Sequence, residues 1–249
     1  ALYGVSGLAV SPDGGHLYAT GQFDDAISAF GRNSTTGALA YVEVLREGDV
    51  QGLLTIEGLD GAESVVVSPD SAHVYVAGFN DGAIAVFART PATGQLTYVE
   101  THKDVSLGGT ATGLLGASSM AMSADGGSLY VASFTSDAVA HFQRDTVVAS
   151  PTYGSLTFQG AVVDNEPGVN GLDGAAAVRL SPNGDHLYVA ASVEKAVAVF
   201  SRDGGTGALL QPGDDRAGEC RAAEERHVDA LLGAHPLVEQ QSQAAAFLE

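Results

Sequence analysis

The 249 residues hold 30 acidic side chains against 11 Lys and Arg, and the formal charge of −19 repels DNA, RNA and anionic membrane surfaces, which excludes nucleic acid as a partner. No apolar run approaches the roughly twenty residues a spanning helix needs, so no membrane insertion is expected. The length allows one or two domains, and the single Cys220 excludes an intramolecular disulfide while saying little about compartment.

The chain begins at Ala1 and not at a methionine, so the native start is expected upstream and no leader is legible. Leu2-Tyr3-Gly4-Val5 aligns with Leu59-Asp60-Gly61-Ala62, which puts the beginning at the lip of a repeat whose clearest copy runs from Gly58 to Glu100. In that copy Ala62 to Val67 ends in three valines and predicts a strand buried on both faces. Ser68-Pro69-Asp70-Ser71 is turn chemistry, since Pro presets φ and Asp bonds its own backbone. His73 to Ala77 and Ala83 to Phe87 read as a second and a third strand, separated by the turn Phe79-Asn80-Asp81-Gly82. After Thr90-Pro91-Ala92-Thr93-Gly94, the stretch Gln95 to Glu100 alternates polar and apolar residues as a strand with one wet face does.

The other copies register on this one. Ser11-Pro12-Asp13-Gly14, Ser123-Ala124-Asp125-Gly126 and Ser181-Pro182-Asn183-Gly184 occupy the first turn. Tyr18, Tyr75, Tyr130 and Tyr188 mark the second strand, and Phe30, Phe87, Phe142 and Phe200 the third. The period is about fifty-five to sixty residues, with four strands in each unit and no helical periodicity, which reads as propeller blades. Copy three has a swollen third connection, Arg144 to Gly154, and copy four breaks off after Gly207-Ala208-Leu209-Leu210-Gln211. The predicted fold is therefore all-β: a β-propeller of four four-stranded antiparallel blades, an open arc or part of a larger ring, plus a C-terminal helical tail. Residues 1–211 form the blades (about 1–48, 58–103, 113–165 and 171–211), and 212–249 a helical or poorly ordered tail. Within the tail Cys220, Ala223, His227 or Val228, and Leu231 share a helical face, so that it reads as a cap on the last blade or as an altered C-terminus.

The run Ser68-Pro69-Asp70 … His73-Val74-Tyr75-Val76-Ala77-Gly78, followed by Ala83-Ile84-Ala85-Val86-Phe87 and Leu96-Thr97-Tyr98-Val99-Glu100, resembles the blade of the lactonase-type propellers. That group includes 6-phosphogluconolactonase-like proteins and the bacterial YVTN-repeat surface proteins. The resemblance covers about residues 2–211 and implies a ring of seven blades, of which four are present. The YVTN tetrad stands here as Tyr18-Ala19-Thr20-Gly21, Tyr75-Val76-Ala77-Gly78, Tyr130-Val131-Ala132-Ser133 and Tyr188-Val189-Ala190-Ala191. No lactonase catalytic motif carries over residue by residue.

In a propeller the turns between strands two and three and the blade-to-blade connections share one face, at the channel mouth. Here that face receives Asp24, Asp25, Asp81, Asp137 and Glu194 from turns, and Asp49, Glu57, Asp60, Asp104, Asp164, Glu166 and Asp173 from connections. Only Arg46, Lys103 and Lys195 oppose them, a field of the wrong sign for a phosphorylated sugar lactone. Arg32, Arg89, Arg144 and Arg202 follow strand three and lie on the opposite face. Asp24, Asp25, Asp81 and Asp137 are first of all turn formers. Their convergence would suit Ca²⁺, which takes six to eight oxygens, although no EF-hand or nonapeptide spacing is present; no other cofactor is implied. His16, His73 and His186 repeat at one blade position and so serve the blade. Two residues break the pattern and are the catalytic candidates: Arg179, where the other copies have Ala9, Val66 and Ala121, and His141, where they have Ala29, Val86 and Val199. Two functions follow. The leading one is a non-catalytic scaffold, extracytoplasmic or at the cell surface, with a protein or glycan partner. The alternative, implied by the resemblance, is hydrolysis of a sugar lactone.

Overall fold

The computed structural model describes residues 2–210, so the expectations for the tail and Cys220 lie outside the described residues. Four antiparallel sheets of four strands follow one another, each in plain meander order. Blade one is Val5–Val10, His16–Gly21, Ala26–Arg32 and Leu39–Arg46; blade two is Ala62–Val67, His73–Gly78, Ala83–Arg89 and Leu96–Lys103. Blade three is Ala117–Met122, Ser128–Ser133, Ala138–Arg144 and Leu156–Val163; blade four is Ala175–Leu180, His186–Ala191, Ala196–Arg202 and the short Leu209–Leu210. The connection from blade one to blade two adds a two-residue hairpin, Val50–Gln51 with Leu54–Thr55. A 3₁₀ turn at Val105–Leu107 follows blade two.

The core lies between the blades. Three clusters fill the three joints, centred on Val74, Val76 and Phe87, on Leu129, Val131 and Phe142, and on Leu187, Val189 and Phe200. Each phenylalanine is buried against the preceding blade, which is why it recurs at strand three. Among the described residues the array is an open arc. Blade one turns Leu8, Leu39 and Tyr41 to the outside at 65, 50 and 64 % exposure, while their counterparts Val65, Leu96 and Tyr98 in blade two are buried against blade one.

The expectation that Ala62–Val67 is buried on both faces is corrected. Only Ala62 and Val65 are buried, because an innermost strand turns its other side to the central groove. The strand covered on both faces is the second, His73–Gly78. Every innermost strand also carries a β-bulge near its start, between Val5 and Leu8, Ala62 and Ser64, Ala117 and Ser119, and Ala175 and Ala177. A bulge re-aims one side chain, and in blade two the extra residue is Glu63.

Candidate functional site in the central groove

The innermost strands line a trough of about 810 Å³. Serines and backbone make up most of its polar lining, and the inner strands are stitched together across it. Ser64 Oγ accepts from Met120 N at 3.2 Å, Ser119 Oγ accepts from Val178 N at 3.3 Å, and Ser6 Oγ donates to Ala62 O at 2.9 Å. Two lining residues carry charge, Glu63 and Arg179. At the bulge position the other blades have Ser6, Ser118 and Ala176, so Glu63 is the one place where the groove gains a carboxylate. Its Oε2 is buried with no hydrogen-bond partner among the described residues, and burial pushes the carboxyl above the ordinary Glu value of 4.5. Arg179 is exposed in the groove, with Nη1 donating to Val178 O at 2.7 Å and to Ser119 Oγ at 3.5 Å. No carboxylate pairs with it among the described residues. A carboxyl held toward its neutral form and an unpaired guanidinium, in one trough, can move a proton and stabilise an oxyanion.

His141, the other pattern-breaking residue, lies in the joint between blades three and four. Each joint carries one lock, formed as an arginine of the later blade inserts beneath a tyrosine of the earlier one. Between blades one and two, Arg89 Nε donates to Tyr18 Oη at 2.8 Å, Tyr18 Oη donates to Gly94 O at 2.9 Å, and Arg89 Nη1 meets Asp13 at 2.8 Å beside His16. Between blades two and three, Arg144 Nε donates to Tyr75 Oη, Nη2 to Asp70 Oδ2 and Tyr75 Oη to Gly154 O, all at 2.7 Å, again beside a histidine, His73. The swollen connection of blade three adds Tyr153, which donates to Asp70 Oδ2 at 2.8 Å and packs against the Arg144 guanidinium.

Between blades three and four, Arg202 Nε donates to Tyr130 Oη at 2.7 Å and Tyr130 donates to Gly207 O. The histidine position is here Ser128, and the imidazole comes from the adjacent strand instead: His141 stacks on Tyr130 with ring centroids 4.9 Å apart. Gly94 and Gly154 have left-handed backbone, and a Cβ on either would overlap the neighbouring imidazole of His16 or His73. His141 occupies the matching space beside Gly207. Burial and Arg202 push His141 down to about 4, so it is neutral at physiological pH. His16 and His73 fill their joints as the repeat pattern predicts, and their pKa values are lowered by burial and by the adjacent guanidinium. His186 is exposed at the open end.

The acids of the opposite face hold backbone amides. Glu47, Asp104 and Asp164, one after each outermost strand, accept from Leu59, Leu114 and Leu172 N at 2.8, 3.0 and 3.0 Å. Asp25 and Asp137, both at φ 50°, accept from Gly61 and Gly174 N of the next blade at 2.9 and 2.7 Å. Asp24 and Asp81 tie the turn to the lip of their own blade, accepting from Tyr3 N at 2.8 Å and Asp60 N at 3.3 Å. The four candidate Ca²⁺ ligands thus lie in the turns of three successive blades, each holding a backbone amide, and no three His, Cys, Asp or Glu gather as a metal site among the described residues. Neither the Arg–Tyr locks nor Glu63 was assigned from the sequence; the recurrence of Arg, Tyr and Gly at fixed blade positions was the signal for the locks.

Four four-stranded meanders around a polar central trough define the chain as a partial β-propeller in fold. The comparisons agree. The chain is similar to a Bacteroides uniformis protein assigned as a 6-phosphogluconolactonase, with 21% identity, TM-score 0.64, and cover of 87% of this chain and 55% of that one. It is also similar to the periplasmic gluconolactonase of Pseudomonas aeruginosa, with 23% identity, TM-score 0.61, and cover of 87% and 54%. The WD40 repeats of RRP9 share the architecture at 15% identity, TM-score 0.56, and cover of 85% and 51%. No protein-family model and no curated protein matches the chain. The chain spans about half the length of the solved structures it matches.

Proposed function

We propose that the chain supplies the central groove of a lactone hydrolase acting on an uncharged sugar lactone. The observation that carries this is Glu63: a carboxylate at one bulge out of four, without a partner for Oε2, in the same trough as the unpaired Arg179. In this reading Glu63 takes a proton from water as the water adds to the lactone carbonyl. Arg179 stabilises the oxyanion of the tetrahedral intermediate, and the Glu63 proton then passes to the ring oxygen as the acyl C–O bond breaks. The acidic connections favour neutral substrates over phosphorylated ones. The likeness to a periplasmic gluconolactonase supports an extracytoplasmic setting.

The test is lactone opening against a buffer blank, with wild type, Glu63→Gln and Arg179→Ala in identical buffer. We expect wild type to exceed the blank by about a hundredfold or more, the scale of one general acid or base, and each substitution to remove most of the gain. A non-catalytic scaffold presenting its loops to a protein or glycan is the second reading, favoured by the three near-identical joints. It takes over if all three proteins match the blank.

A further inference from the structure

Three positions of the repeat change together at the joint between blades one and two. Gly7 stands where the other blades have Ser64, Ser119 and Ala177, Thr20 where they have Ala77, Ala132 and Ala190, and Glu63 where they have Ser6, Ser118 and Ala176. The three touch. Thr20 Oγ1, in a fully buried side chain, accepts from Gly7 N at 2.8 Å and lies 3.3 Å from Glu63 O, to which it can donate. A Cβ on Gly7 would come within 2.7 Å of both Glu63 O and Thr20 Oγ1 and within 3.2 Å of Ser64 Cα. Gly7 has no left-handed backbone, so glycine is needed here for room and not for its φ.

What the glycine removes is an acceptor. In the next two joints the serine at this position takes an inner-strand N–H of the following blade, Met120 N donating to Ser64 Oγ and Val178 N to Ser119 Oγ. The counterpart here is Val65 N. Ser68 N donates to His73 O at 2.9 Å, so the alternation of an antiparallel pair ties Val66 and Ser64 to the second strand and turns the Val65 N–H to the free edge of the sheet. There it meets Gly7, which has no side chain to accept it, in the trough that Gly7, Glu63 and Val65 all line. We propose that this N–H holds the carbonyl oxygen of the lactone. Val65 N is then an oxyanion donor on the same strand as Glu63, opened by Gly7, and Thr20 is the positioning residue that pins the Glu63 peptide. The proposal rests on the hydrolytic reading of the groove. A backbone donor fixed in a sheet needs no reorganisation as charge develops on the carbonyl, and it binds the oxyanion more strongly than the neutral lactone.

The double variant Gly7→Ser with Thr20→Ala gives this joint the residues that Ser64 and Ala77 supply in the next one, so it should fold while the new hydroxyl occupies the Val65 N–H. Lactone opening should lose about 10²–10³ in kcat, the scale of one oxyanion donor, with KM little changed. Thr20→Ala alone leaves the donor open and should keep most of the rate. Amide NMR on the isotope-labelled full chain reads the same contact without catalysis. Titration with a neutral sugar lactam, a carbonyl analogue that is not hydrolysed, should move the Val65 amide proton downfield in wild type and in Thr20→Ala but not in the double variant. A Val65 amide that stays still in wild type, a double variant that keeps the wild-type kcat, or a loss in Thr20→Ala as large as in the double variant would each overturn the proposal. If the amide moves but wild type opens no lactone, the donor stands and hydrolysis falls. If wild type opens lactone while the amide stays still, hydrolysis stands and the donor falls.

Discussion

Tyr75→Phe removes one oxygen from the joint between blades two and three. That oxygen accepts from Arg144 Nε and donates to Gly154 O, both at 2.7 Å, and Tyr75 is fully buried. Its absence leaves a charged donor and a carbonyl without their partner in a buried joint. One buried unsatisfied group costs about 1–3 kcal/mol, more when charged; Arg144 keeps Asp70, so we expect a total of about 2–4 kcal/mol. With a urea m-value of about 2 kcal/mol/M, the midpoint should fall by about 1–2 M at unchanged m. The control is Tyr153→Phe, which removes a hydroxyl donated to the same Asp70 but at the molecular surface, and which should cost less than about 1 kcal/mol. If Tyr75→Phe costs no more than Tyr153→Phe, the joint is held by apolar packing alone and the lock is incidental.

Asp104→Ala uncovers the buried N–H of Leu114 and removes the cap on Ser106, so chemical denaturation should show a loss of about 1–3 kcal/mol. Asp13 is lowered to about 2 despite the opposing effect of its burial, by hydrogen bonds from Ser11 and Gly15 and by Arg89; Asp70 is lowered likewise by Ser68, Ala72 and Arg144. The stability these carboxylates contribute is complete above their unfolded value of 3.8 and is lost as pH falls through the folded values. Thermal melts of Asp70→Asn should therefore be flatter than wild type below about pH 4. Glu63 has the opposite sign: its folded pKa lies above the unfolded one, so stability falls as pH rises through it. Glu63→Gln should raise the melting temperature at pH 7 and converge on wild type in acid, and a variant less stable at pH 7 would show that Glu63 has a partner after all.

Strands and blades were legible in the sequence because both signals are local. β-branched runs bounded by Ser-Pro-Asp and Thr-Gly turns fix each strand, and Tyr75 and Phe87 in their copies fix the register between blades. The locks were not legible as contacts, since Arg144 and Tyr75 lie 69 positions apart and on different blades. The four arginines were placed on the correct face but without partners. The acids read as a charged mouth are there, yet Asp25, Asp104, Asp137 and Asp164 are spent on backbone amides, a use that composition cannot distinguish from ligand binding. Arg179 was singled out by comparing copies. Glu63 was passed over inside a run taken for a buried strand, although the same comparison, Ser6, Glu63, Ser118 and Ala176, isolates it. His141 broke the pattern for a packing reason: it replaces the imidazole missing at Ser128.

The most direct measurement is the pH dependence of kcat/KM for opening of a neutral sugar lactone, with the spontaneous rate subtracted at each pH. If Glu63 is the general base, the rate should rise with pH through an inflection above 4.5, because only its carboxylate accepts the proton, and Glu63→Gln should lose both the rate and that inflection. A wild-type rate equal to the blank across the range, or a Glu63→Gln profile that keeps the same inflection, would contradict a hydrolytic site in the central groove.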